Sequence, residues 1–379
     1  MREVYILGLG MHKFGRFPDK TIEQLGMEAI NDSLTDAGIK FKDIQAAFCG
    51  TVFGGWGLGH RISSKFGLQG IPIVNVEAAC ASGGSAFNLS HLSVASGQCD
   101  VALAFGVEKM PRGFIAGQPE DWYTYTGLSV NPVYFAMKIK RHMEKYGGTE
   151  DHLIEVSVKN HRNGVLNPYA MYQKETPYEV VKESHMVNDP LRLLMLCAPN
   201  EGAAAVILCS KEVIKKFNVT KPVQVAASVL KTAVYGTPEV PHFSISANVD
   251  NPPPAKLASR EAYEIAGVGP EDLDLIELQD TDSGSEIIAY EELGLCNRGE
   301  GYSLLDKKMT EPTGKMPVNV SGGLLCKGEP LGASALGQIV ELGWQLRGET
   351  GHRQVENAKV GLAHVYGAHG NCSVTILKS

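Results

Sequence analysis

A layered α/β/α protein built from two similar halves is the fold class this sequence predicts. Short, continuous apolar runs such as Val101–Val107 and Ala203–Cys209 read as strands buried on both faces. A strand–helix alternation opens the chain, is interrupted by a polar helical stretch, and resumes near Val223. The identity between the two alternating blocks is too low to establish a duplication from sequence alone.

The elements follow in order. Val4–Leu7 is a strand, Thr21–Asp36 an amphipathic helix ending near Gly38, and Ala46–Cys49 a strand opening a glycine-rich loop. Ile73–Val76 is a strand, Gly83–Gly97 a helix and Val101–Val107 a strand. Residues 111–195 form a helical insertion rich in Tyr, His and Lys, of the kind that makes a lid. Val225–Val229 begins the second block as a strand. Lys256–Ala266, Ser283–Leu293 and Ala333–Arg347 are its helices, and Leu273–Leu278, Lys359–Val365 and Ser373–Leu377 its further strands. The expected division is an N-terminal half (1–110 and 196–220), the insertion (111–195) and a C-terminal half (221–379). Apolar strands between helices suggest a buried, mostly parallel sheet.

With 379 residues, 44% of them hydrophobic and 20% charged, the chain has the composition of a globular enzyme large enough for two domains. A net charge of −7 argues against a general nucleic-acid role. No apolar run reaches the length needed to span a bilayer, and the opening residues read as a strand rather than a targeting segment. The eight cysteines (Cys49, Cys80, Cys99, Cys197, Cys209, Cys296, Cys326 and Cys372) show neither a CxxC pair nor zinc spacing, so no metal site is expected. Their scatter among apolar residues fits a reducing cytoplasm.

One cysteine stands apart. Cys80 lies in Val74-Asn75-Val76-Glu77-Ala78-Ala79-Cys80-Ala81-Ser82-Gly83-Gly84, where a strand meets a tight turn of small residues and a helix departs. Helix-terminal N–H groups and the macrodipole favour thiolate there, and small neighbours leave room for a carbonyl substrate. An isolated cysteine is ordinarily a buried core residue; the strand–Cys–Gly-Gly–helix context favours a nucleophile.

The segment Ala79–Gly84 resembles the nucleophile motif of the thiolase superfamily, sterol-carrier-protein branch. Val158–Asn163 with Asn167-Pro168 is similar to that branch's lid segment. Asn319-Val320-Ser321-Gly322-Gly323 with Lys327–Ala333 resembles its Gly-His-Pro loop, and His364–Gly370 its closing loop. The resemblance implies a duplicated five-layer α/β/α/β/α fold with a helical lid insertion, a homodimeric core, and acyl-CoA and CoA as substrates with no further cofactor. It also admits a small zinc-ribbon/OB-fold partner subunit. Thiolysis of a 3-oxoacyl-CoA needs a nucleophile, an acid/base for the α-carbon and two oxyanion holes.

The chain departs from the family at three places. Glu329 stands where the Gly-His-Pro histidine is expected, Gln279-Asp280-Thr281-Asp282 replaces the branch's His-Asp-Cys-Phe, and His364 occupies the other customary acid/base cysteine position. Both usual places for a second cysteine are empty. A carboxylate in an apolar site has a raised pKa and can share a proton with Cys80 or CoA; the alternative is a surface loop that has lost its role. His364 is read either as a donor to a developing enolate or as a satisfied structural histidine. Tyr366 reads first as pocket wall and second as a proton donor, and His369 narrows the same loop. Gln279 keeps hydrogen-bonding capacity where the family organises water or oxyanion. Asn319, Gly322, Gly323 and Gly367 are expected to present donors to substrate. Cys326 and Cys372 are read as core.

The loop Gly54–Arg61 lacks the order of a phosphate or dinucleotide fingerprint. The resemblance instead puts it near the dimer interface, where Trp56, His60 and Arg61 can shape the acyl pocket and face a substrate carboxylate. The basic run Lys138, Lys140, Arg141, His142 and Lys145 can attract CoA phosphates, although such runs are ordinarily solvated faces. The expected function is thiolytic cleavage of an unusual 3-oxoacyl-CoA, aromatic and like benzoylsuccinyl-CoA, through acyl-Cys80. The rivals are a thiolase-like retro-aldolase acting on a β-hydroxyacyl-CoA of a steroid side chain and a non-catalytic acyl-CoA-binding scaffold.

Overall fold

The sheet strands are β1 (Val4–Gly15), β2 (Ala46–Gly50), β3 (Ile73–Val76), β4 (Val101–Lys109), β5 (Glu201–Ser210), β6 (Val223–Lys231), β7 (Leu275–Leu278), β8 (Val360–Gly367) and β9 (Asn371–Lys378). The longer helices are α1 (Ile22–Ala37), α2 (Ser82–Ala95), α3 (Asn131–Tyr146), α4 (Glu150–Val165), α5 (Pro254–Ala266), α6 (Ser283–Glu292) and α7 (Leu331–Arg347). This computed structural model describes residues 2–113, 130–217, 219, 221–235, 239–240, 243–244 and 251–379. Residues 114–129 of the expected insertion and the side chain of His369 lie outside the described residues.

The strands join in the order β7-β8-β9-β6-β1-β5-β4-β2-β3. From β3 inward the N-terminal half pairs parallel, parallel, antiparallel, antiparallel, ending on β1. The C-terminal half repeats that pattern. A parallel bridge from Val318 to Ile276 stands in for the edge strand, then β7 and β8 pair in parallel and β9 and β6 follow antiparallel. The halves meet where β1 pairs with β6 at Tyr5–Gln224 and Ile6–Val223.

Alternation along the strands sorts side chains into three cores. In β5, Ala204, Val206 and Leu208 face the centre, while Ala203, Ala205, Ile207 and Cys209 face outward under α1. Across the middle lie α2 and α7, whose Phe87, Val94, Leu336 and Ile339 meet strand residues from both halves. On the far face Ile276, Leu278, Val374 and Ile376 pack beneath α5 and α6. The result is five layers: helix, sheet, helix pair, sheet, helix. Each large side chain buried in the middle layer contributes roughly 1.5–3 kcal/mol. Gly83 sets the spacing of the two middle helices, because a Cβ there would lie 2.7 Å from the Gly332 carbonyl oxygen. No helix among the described residues is long and apolar enough to cross a membrane.

Two sequence expectations need correction. The sheet is mixed rather than mostly parallel: three neighbouring pairs run parallel and five antiparallel. An apolar run reports burial on both faces, and five layers give that burial to antiparallel strands too. Strand β1 also continues past Leu7 to Gly15, paired with β5 from Val4–Ser210 through Gly15–Glu201. Gly8, Gly10 and His12 hid this extension in sequence; a Cβ at Gly10 would lie 2.1 Å from the Ala29 carbonyl of α1, so close packing there needs glycine.

Candidate active site

Cys80 sits on the turn that carries the chain from β3 into α2. Ala79 has φ of 50°, left-handed backbone that a Cβ makes costly, by roughly 1–2 kcal/mol. The turn is held by its neighbours. Ala81 N donates to Ala78 O and Ser82 N to Ala79 O, each at 3.0 Å. The Ser82 hydroxyl accepts from Ala78 N at 2.8 Å and donates to Ala79 O at 2.6 Å. From the opposite side Gly367 closes on the turn, where a Cβ would lie 2.6 Å from Ala78 O.

Glu329 enters between the short helix Gly323–Lys327 and α7, with its N–H donating to Ala198 O at 2.9 Å. Its buried carboxylate gathers three donors. Gln279 Nε2 donates to Oε1 at 2.7 Å, the Cys197 thiol donates to Oε2 at 3.2 Å, and the Cys80 thiol hydrogen-bonds the same group. Gln279 is oriented in turn by Tyr366 N–H, which donates to its Oε1. The placement follows from register: Leu278 at the end of β7 pairs beside His364 on β8.

Burial pushes the Glu329 carboxyl above the ordinary carboxylate range, while its three donors pull it back. Burial, and then the Glu329 charge, push the Cys80 thiol well above its usual value. This corrects the expectation of a resting thiolate: burial first, and then the neighbouring Glu329 carboxyl, outweigh the helix terminus. Cys80 is a thiol poised against a carboxylate, so its proton leaves as the sulfur attacks. Burial, and then Lys138, lower the His364 imidazole to about 3, so it is neutral. Both ring nitrogens of His364 are buried with no hydrogen-bond partner among the described residues.

These groups line one cleft of about 560 Å³ including its open mouth. Its walls include Cys80, Gln279, Glu329, His364 and Tyr366, joined by Asn131, Phe135, Lys138, Thr281, Ser285 and Glu292. Lys138 Nζ lies 3.9 Å from the Glu292 carboxylate and 5.9 Å from the centre of the Tyr366 ring.

Other sequence-selected residues do not reach this wall. Asn319 is fully buried, with Oδ1 accepting from Leu278 N at 2.9 Å and Nδ2 donating to Glu286 at 2.8 Å. It latches β7 to α6 instead of facing substrate. Gly322 packs against Gly164 of α4, and Gly323 against the Asp280 carboxylate, so both serve the seam behind the cleft. The lid-like motif belongs to that seam: Lys159 pairs with Glu286, Asn160 donates to Asp280 at 2.8 Å, and Asn163 donates to Asn319 O at 3.1 Å. Trp56 is 97% exposed and His60 is exposed, while Arg61 bonds Glu23 at 2.9 Å and the carbonyls of Trp56 and Gly54. All three lie outside the cleft within one chain. Of the basic run, only Lys138 faces the cleft; Lys140 forms an exposed pair with Asp189, and His142 bonds Glu291 at 3.0 Å and Tyr302.

Sequence reasoning missed Cys197, whose thiol supplies the Oε2 donor. Its only signal was a cysteine just ahead of a buried strand, which reads equally well as core.

Comparison with known proteins matches two successive stretches of the chain. A sequence model described as "Thiolase, N-terminal domain" matches residues 4–189, and one described as "Thiolase C-terminal domain-like" matches residues 239–379. Sterol carrier protein 2 of Oryctolagus cuniculus is 38% identical over 394 residues, covering 99% of this chain and 72% of the relative. Benzoylsuccinyl-CoA thiolase subunit BbsB of Thauera aromatica is 35% identical over 379 residues, covering 98% of this chain and 96% of the relative. Among solved structures, the Ltp2-ChsH2(DUF35) aldolase superposes with a TM-score of 0.87 at 22% identity, over 100% of this chain and 98% of that one, a likeness of fold. The chain belongs to the thiolase family, acyltransferases that work on coenzyme A thioesters.

Proposed function

We propose that the protein is a thiolase that cleaves an unusual 3-oxoacyl-CoA through an acyl-Cys80 intermediate, with Glu329 moving the protons. The observation that carries this reading is the hydrogen-bonded cluster of Cys80, Glu329 and Gln279 in the cleft. The Cys80 sulfur adds to the 3-keto carbon as its proton passes to Glu329. The C2–C3 bond breaks, and its electron pair stays on C2 as the enolate of the departing acyl-CoA. Glu329 returns the proton to C2, leaving the acyl group on Cys80. A CoA thiol then attacks that thioester, its proton passes through Glu329 to Cys80, and a new acyl-CoA leaves. His364 donates to the enolate oxygen in this reading, which its neutral ring and unpartnered nitrogens among the described residues support.

For the acyl group, Phe135 and Tyr366 offer aromatic wall and Lys138 a cation in the same cleft. Together with the likeness to the benzoylsuccinyl-CoA thiolase subunit, they support a substrate that carries an aromatic ring and a carboxylate. The same reading includes a homodimer through the β3 edge, with Trp56, His60 and Arg61 beside it, and a small zinc-ribbon/OB-fold partner subunit.

The test is product analysis by chromatography with benzoylsuccinyl-CoA and, separately, acetoacetyl-CoA, each with and without CoA. Without CoA cleavage should stop at about one turnover per site; with CoA it should turn over, yield two acyl-CoA products, and fall by at least about 10⁴-fold in Cys80→Ala. Cleavage of a β-hydroxyacyl-CoA without CoA, surviving Cys80→Ala and lost in Tyr366→Phe, would instead make the protein a retro-aldolase.

A further inference from the structure

The geometry points to Cys197 as a positioning residue: its thiol holds the Glu329 carboxylate ionised and aimed at the Cys80 proton. This inference rests on the reading of Glu329 as the proton acceptor for Cys80. Neither cysteine position customary for the family carries this thiol. It comes from the crossing between the helical insertion and β5.

The segment that carries it is fixed on both sides. Cys197 N donates to Thr281 O at 2.9 Å, and Ala198 O accepts from Glu329 N at 2.9 Å. Pro199 then bridges to Glu329. The thiol therefore arrives from a clamped backbone and meets Oε2 at 3.2 Å, while Gln279 takes Oε1. Cys197 is not part of the cleft wall, so it acts through Glu329 rather than on substrate.

The charged and titratable groups around Glu329 come from every packed element. Cys80 comes from the nucleophile turn, and Cys197 from the crossing segment. Asp280 follows β7 beside Gln279, and His364 and Tyr366 come from β8. Lys138 of α3 and Glu292 of α6 complete the cleft. None of these except the two thiols and Gln279 is seen to donate to the carboxylate. A buried carboxylate stays ionised only as far as its donors compensate for lost water. A thiol is a weak donor, so it steadies the anion while leaving it basic enough to accept a proton from sulfur. A hydroxyl in its place would hold the anion more tightly.

The test follows the carbonyl stretch of protonated Glu329 by infrared spectroscopy of the full chain against pH. The band is isolated in each background as the difference from the matching Glu329→Gln protein. In Cys197→Ala the band should persist to higher pH by roughly half a unit to one unit, the loss of one charge-assisted donor. Cys197→Val, which keeps apolar bulk without a donor, should move it the same way. Cys197→Ser should leave the midpoint at or below wild type. Equal midpoints in wild type, Ala and Val, or a Ser protein that shifts with Ala, would overturn the inference. Acyl transfer to Cys80 from benzoyl-CoA or acetyl-CoA is measured in parallel. A Glu329→Gln protein that acylates Cys80 at the wild-type rate would overturn the underlying role of Glu329, whatever the infrared midpoints show.

Discussion

At the scale of single residues, the exchange of a histidine for Glu329 changes how the nucleophile is made ready. An imidazole can leave a thiolate beside an imidazolium; a carboxylate cannot, because two anions would face each other in a buried site. The upward shifts of both Cys80 and Glu329 describe the alternative, a thiol that ionises only while it attacks. Turnover then requires ionised Glu329, so kcat/KM rises as pH climbs through a carboxyl pKa above the ordinary carboxylate range. His364 carries the enolate charge in this scheme. His364→Ala should lower kcat by about 10²–10³ with a smaller change in KM, as the loss of one oxyanion donor does. Steady-state kinetics giving an unchanged kcat would remove His364 from the mechanism. Much of this cluster was legible in the chain, because Cys80, Gln279, Glu329 and His364 stand at recognisable motif positions. Cys197 was not, since nothing local distinguishes a thiol aimed at a carboxylate from one packed in a core.

Among the elements, burial was readable and direction was not. Val101–Val107 and Ala203–Cys209 announce buried strands, but β4 and β5 run antiparallel, a choice made by the crossing between them. The motif on α4 likewise looked like a lid, yet it packs as a seam, because the Lys159 ammonium and the Asn160 and Asn163 amide N–H groups donate to Glu286, Asp280 and Asn319. Strand β3 has an open edge among the described residues: there it pairs with β2 alone, and it leaves Val74 41% exposed with Asn75 beside it. Such an edge is a template for a second copy. Size-exclusion chromatography with light scattering should give a dimer mass for the wild type and a lower mass for Val74→Lys. A monomeric wild type would contradict the proposed pairing.

Across the whole molecule, duplication builds the site. The N-terminal half brings Cys80 on the turn between its edge strand and its middle helix α2. The C-terminal half brings Glu329 from the equivalent region between Val318 and its middle helix α7. Stacking α2 against α7 sets these two turns face to face, and β7 and β8 add Gln279 and His364 from the sheet behind. The layered class could be read from strand and helix alternation. The meeting of the two turns could not, because it depends on contacts such as Gly83 against Gly332, far apart in the chain. The central claim is that Cys80 carries the acyl group and Glu329 moves its proton. Peptide mass spectrometry after mixing the protein with a 3-oxoacyl-CoA in the absence of CoA tests it most directly. The Cys80 peptide should gain the acyl mass and lose it when CoA is added. It should stay unmodified in Cys80→Ala and gain the mass at least about tenfold more slowly in Glu329→Gln, one pKa-unit equivalent of lost assistance. Cleaved products alongside a Cys80 peptide that never gains mass would contradict the account.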